Sequence, residues 1–123
     1  MILNMEVNHR TIQVELIPNS SAKALEELLK GGPLTLQMKD YAHMEKFGDL
    51  GASLPRNDQY ITTKAGDVIL SEGNLLVIYY APNTWNFTRL GRVANMSERE
   101  LKKVLGKGNI TATLTLPAEQ RGA

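Results

Sequence analysis

The run Leu75-Leu76-Val77-Ile78-Tyr79-Tyr80 is apolar on both of its alternating faces, and it restricts the fold more than any other stretch of the chain. An extended segment of this kind has to be covered twice, once by a core and once by a helix or loop on its outer side. It lies inside residues 66–93, which read as three successive strands. Residues 67–70 and 75–80 form a hairpin around the polar turn Ser71-Glu72-Gly73-Asn74, and an aromatic, asparagine-rich connection leads into residues 87–93. The run at 75–80 is the expected central strand.

The flanking sequence supplies more strands and two helices. Leu3, Met5 and Val7 alternate with polar neighbours, and Ile12, Val14 and Leu16 do so again after a short polar turn, so residues 2–16 predict a hairpin. Pro18 ends it, and Asn19, Ser20 and Ser21 offer caps for a helix over 22–30 that Gly31, Gly32 and Pro33 stop. Residues 34–39 alternate again. From 40 to 58 the pattern dissolves into isolated apolar residues among Gly48, Gly51 and Pro55, as a long excursion with short strand pieces would, and such loops often wall a site. Residues 60–64 form a short strand. Ser97 and Glu100 make a capping box, with Met96 and Leu101 as its staple and Gly106 as terminator of the second helix. Residues 110–116 form a one-sided last strand, and 117–123 a flexible tail.

Two strands, a helix, about five strands, a helix and a final strand make a mainly β chain. Antiparallel neighbours with no regular strand–helix alternation favour a closed barrel of about eight strands over a doubly wound sheet. The two helices cover its open ends or sides. With 123 residues the chain is expected to be a single domain that buries roughly two thirds of its unfolded surface. The absence of cysteine excludes disulfides, thiolate metal sites and thiol nucleophiles. A net charge of +1 argues against nucleic acid as a partner, and no apolar run approaches the ~20 residues of a membrane span. Glu6 and the Asn8-His9 pair come too early for a signal peptide, so a cytoplasmic location is expected. His9 and His43 have no metal-ligand spacing, no Gly-rich loop carries a phosphate cradle, and neither metal nor cofactor is expected. The sequence allows a homo-oligomer without fixing one.

The segments GDLGASLPRNDQYITTKAGDVIL and NLLVIYYAPNTWNFTRLGRV, within residues 48–93, resemble the small prokaryotic cyclophilin-like family, whose function is largely uncharacterised. Leu90-Gly91-Arg92-Val93 and the helix after it are similar to the strand and helix that follow the peptide site of cyclophilins. The resemblance implies a cyclophilin-like barrel of about eight strands capped by two helices. In prolyl isomerases of this fold an arginine acts beside a phenylalanine and a glutamine, with a tryptophan and a histidine lining the same groove. Here the connection at 81–86 holds no histidine, and no Phe-x-x-Gln-Gly segment occurs in the middle of the chain.

More than half of the aromatic residues, Tyr79, Tyr80, Trp85 and Phe87, crowd into nine positions beside Asn83 and Asn86. Aromatic rings with polar tips suit a groove for a peptide or small organic ligand, although core packing accounts for several of them equally well. Arg56, after Leu54-Pro55, is placed to support a carbonyl or hold a carboxylate, against the plainer reading of a solvated loop arginine. Arg89 falls by alternation on one face with Phe87 and Gly91, where a structural salt bridge is the default. The expected function is binding of a small molecule or short peptide in a barrel-side groove near Arg56, Tyr60, Tyr79, Asn83, Trp85 and Phe87, with no catalytic residue assigned. The alternatives are a weak peptidyl-prolyl isomerase and a structural protein-interaction module that pairs through a strand edge or apolar patch.

Overall fold

The computed structural model describes residues 1–120. In chain order it forms β1 (Ile2–Val7), β2 (Arg10–Leu16), α1 (Ser20–Lys30), β3 (Leu34–Tyr41), β4 (Glu45–Asp49), β5 (Gln59–Thr62), β6 (Asp67–Ser71), β7 (Leu75–Tyr79), β8 (Thr84–Val93), α2 (Glu98–Leu105) and β9 (Ile110–Thr115). The antiparallel order β2-β1-β9-β3-β4-β7-β6-β8 closes on itself when Val14, Glu15 and Leu16 of β2 pair with Val93, Arg92 and Gly91 of β8. This is a closed eight-stranded barrel, and β5 is the extra strand. It pairs only with the first half of β8, through Gln59–Phe87 to Thr62–Thr84, and makes a two-stranded arm.

Leu3, Met5, Ile12, Val14, Leu36, Met38, Val68, Leu70, Leu76, Ile78, Leu90 and Leu114 fill the interior. The helices close opposite ends. Asn19 caps α1 by accepting from the Ala22 N–H at 2.8 Å, and Ala22, Leu25 and Leu29 turn inward. The predicted capping box of α2 is present, with Ser97 Oγ accepting from Glu100 N–H at 3.2 Å and Leu101, Val104 and Leu105 buried. At the α2 end Asn8 Nδ2 donates to Val104 O at 2.8 Å, and the fully buried Lys46 donates to Gly106 O at 2.9 Å and Gly108 O at 2.6 Å. Asp40 Oδ1 is the counter-ion of Lys46 at 3.1 Å. A cation on the carbonyls that follow a helix end is favourable, and here it replaces the water that burial removed.

Two expectations change. Residues 40–58 are not one excursion: β3 runs to Tyr41, a tight turn places Ala42 and His43 at φ 52° and 53°, and β4 is a full barrel strand, leaving a loop only at 50–58. The alternation was hidden because Lys46 points inward while Phe47 points outward, and Gly48 occupies an inner position where a Cβ would lie 3.0 Å from Met38 Cγ. Arg89 and Gly91 do not share a face. A bulge at Leu90 (Val68 opposite Gly91, Ile69 opposite Arg89) shifts the parity of β8, so Arg89 and Arg92 both stand outside while Gly91 faces the closure.

In the predicted tail, Ala118–Gln120 form a 3-10 turn, and the Gln120 amide bonds to Ile2 N–H and C=O at 2.9 Å. Residues 121–123 lie outside the described residues. No described helix is long and apolar enough to cross a membrane.

Candidate ligand groove

The strand that is apolar on both faces explains where a second cluster forms. Leu76 and Ile78 of β7 enter the barrel, whereas Val77 and Tyr79 face out and join Ile69 and Phe87 in a small apolar cluster on the outer wall. Met44, Phe47, Ile61 and Leu75 pack around it. The arm of β5 and early β8 flanks this wall, and between them lies an open cavity of about 520 Å³.

Register sets out the groove. Tyr41, Glu45 and Tyr79 are direct cross-strand partners on β3, β4 and β7, and Phe47 and Val77 form the next outward row. The Tyr79 and Phe87 rings lie 5.7 Å apart and those of Tyr41 and Phe47 6.4 Å apart, edge to face. Ser71 and Glu72, at the β6–β7 turn, close one end. That turn carries Glu72 and Gly73 at φ 56° and 81°, the left-handed pair that a tight hairpin needs.

Asn83 is locked from both sides. Its backbone exchanges hydrogen bonds with Thr63, its Oδ1 accepts from Thr84 N–H at 2.9 Å, and its Nδ2 donates to the Tyr79 hydroxyl at 3.2 Å. Tyr79 in turn faces the Glu45 carboxyl. Burial raises the Tyr79 hydroxyl well above the usual phenol range, against the pull of Asn83, and the Glu45 charge adds to it. Burial also raises the Glu45 carboxyl, with Tyr79 opposing and Asp40 reinforcing the shift. Next door, burial and the Asp40 carboxylate push the Tyr80 hydroxyl, which donates to Asp40, up to about 12.

Of the six residues expected at a site, Tyr79, Asn83, Trp85 and Phe87 line this cavity. Trp85 is 62% exposed and stands over the groove. Tyr60 is opposite Asn86, one position out of phase with the Ile61–Trp85 pair, and so occupies the other face of the arm. Arg56 lies on the 50–58 loop, where its guanidinium binds Asp58 Oδ2 at 2.9 Å through Nε and its stem passes over Gly73. The Thr88 hydroxyl and that guanidinium hold the Asp58 carboxyl below the usual carboxylate range, against its burial. Sequence reasoning did not single out Tyr41, Glu45 and Phe47, which sit in the stretch whose alternation was obscured.

A second cavity on the outer wall is polar. Its centre is the fully buried Asp67, held by Arg92 Nη1 at 2.5 Å and Arg89 Nη2 at 3.4 Å, with the Lys64 N–H donating at 3.0 Å. These arginines tie β8 to β6. Among the described residues no cluster of His, Cys, Asp and Glu is placed to hold a metal ion.

A closed antiparallel eight-stranded barrel with two helices has the cyclophilin-like architecture. The sequence profile of the cyclophilin-like family matches residues 5–115, and the chain belongs to that family. The fold is also similar to the solution structure of a hypothetical protein from Archaeoglobus fulgidus, with a TM-score of 0.67, 14% identity and 92% of each chain covered. No curated protein matches the sequence.

Proposed function

We propose that this protein binds a small molecule or short peptide in the outer-wall groove, contacting Tyr79, Asn83, Trp85 and Phe87. The observation that carries this reading is the Val77–Tyr79–Ile69–Phe87 cluster, an apolar floor left outside the barrel core with an exposed tryptophan above it. Apolar floors with a few fixed polar groups are the usual composition of small-ligand sites. Asn83 and Tyr79 supply the fixed groups, since each is already held in orientation by its neighbours. Arg56 and Tyr60 border the loop and the far face of the arm, where an extended ligand would reach them.

Among the described residues no arginine, lysine or histidine lines the groove, so none of their guanidinium or other cationic groups stands ready to support a twisted peptide carbonyl there. Binding without isomerisation is therefore the favoured reading. A melting scan against a compound and peptide library tests it, because a ligand at 100 times its Kd stabilises by about 2.7 kcal/mol. Hits should shift the fluorescence of Trp85, the chain's one tryptophan. Exchange spectroscopy on an Xaa-Pro peptide should show no acceleration. Acceleration lost in Arg56→Ala or Arg89→Ala would establish the isomerase reading instead.

A further inference from the structure

We propose that the groove selects an organic cation, an alkyl- or arylammonium group seated against the Glu45 carboxylate between aromatic rings. This proposal rests on the groove being a binding site and adds the chemistry of what it binds.

Glu45 is only 8% exposed, yet it borders the cavity and takes part in no ion pair among the described residues. A carboxylate so far removed from water is costly unless a cation or several donors compensate it. Among the described residues it faces one side-chain donor, the Tyr79 hydroxyl, and that hydroxyl also accepts from Asn83. The nearest cation in sequence, Lys46, is turned to the opposite face of β4 and satisfied by Asp40, Gly106 O and Gly108 O. Lys39 neighbours Phe47 across β3 and β4 but is exposed and outside the cavity lining. A cation supplied by a ligand would provide that compensating charge.

The surroundings of Glu45 suit such a charge. Tyr41 and Tyr79 are its cross-strand partners, Phe47 is on the next outward row, and Trp85 stands exposed on the arm. Ring faces attract ammonium groups through their quadrupoles, most strongly when water is excluded. Among the described residues the one other charged residue of the lining is also acidic: Glu72 lies beyond Leu75, which by strand rise is roughly 13 Å from Tyr79 along β7. The groove thus presents an apolar, aromatic floor with a carboxylate at each end.

The test uses choline and its uncharged carbon isostere 3,3-dimethylbutan-1-ol, titrated at constant ionic strength with Trp85 fluorescence as readout. Saturable binding of choline at least tenfold tighter than the alcohol, with Glu45→Gln erasing the preference but still binding the alcohol, supports the proposal. Glu72→Gln is the second variant and should reduce the preference by a smaller factor. Equal affinities, or a preference that survives in both variants, overturn the cation assignment and leave the groove as a neutral binding site. A library in which only uncharged or anionic compounds move Trp85 does the same. If no compound of any charge moves Trp85 or the melting temperature, the groove reading falls as well.

Discussion

On the wall formed by β2, β1, β9 and β3, residues largely alternate between core and surface, whereas on β6 and β7 nearly every position is buried. The first wall needs only one partner, the barrel interior. The second has apolar side chains on both sides, and the outer set is covered by an arm that leaves a groove. Stability and the proposed binding are thereby assigned to opposite faces of one strand, which neighbouring residues of β7 can separate.

Ile78→Ala empties an inward position and should cost about 2–5 kcal/mol in urea unfolding, the range for a buried Ile in a tight core. Val77→Ala, one residue away but outward, should cost roughly 1.5 kcal/mol, the transfer of about two methylenes. Equal losses would show that the outer cluster is as integral to the fold as the interior. Gly91→Ala tests closure of the two walls at the β2–β8 seam, since its Cβ would stand 2.2 Å from Glu15 O, and a loss near 3 kcal/mol is expected.

Smaller effects sharpen the contrast at the groove. Ala42 is held at φ 52° on the turn between Tyr41 and Met44, a conformation that glycine adopts freely. Ala42→Gly should therefore raise stability by up to about 1 kcal/mol, read as a higher Tm. Trp85→Ala should change stability by less than about 0.5 kcal/mol while weakening any groove ligand at least tenfold, because an exposed ring contributes little to folding.

Titration gives the two carboxylates, Glu45 at the groove and Asp40 beside Lys46, opposite signs. Glu45 has a raised carboxyl pKa through burial, so its ionisation costs stability, and that cost is absent below the ordinary value of 4.5 and grows as pH rises through the raised one. Glu45→Gln should melt higher than the parent at neutral pH, with the gain disappearing near pH 4. Asp40 behaves the other way. Burial alone would raise its carboxyl, but the Tyr80 and Lys46 hydrogen bonds prevail and lower it, so its contribution is present above 3.8 and is lost as pH falls further. A melt that rises at neutral pH on removing Glu45 is the expected signature of a carboxylate kept for binding rather than folding.

Much of this fold is legible in local chemistry. The Asn19 cap, the Ser97–Glu100 box and the alternation of β1, β2, β3 and β9 depend on near neighbours, which a sequence displays directly. Trp85, Phe87, Tyr79 and Asn83 were visible for the same reason, as a dense aromatic patch. Glu45 was not, because what distinguishes it is the company of Tyr41 on β3 and Tyr79 on β7, residues brought beside it only by pairing. Lys46 and Gly48 obscured the strand that carries it, since an inward lysine makes sense only once the carbonyls of Gly106 and Gly108 are in reach. The sequence by itself determined the elements, their order and a mainly β barrel, all consequences of periodicity and capping. Tertiary structure alone decided which of the two apolar faces of β7 is core and which is groove, and that a carboxylate with no ion-pair partner among the described residues lies at the end of that groove.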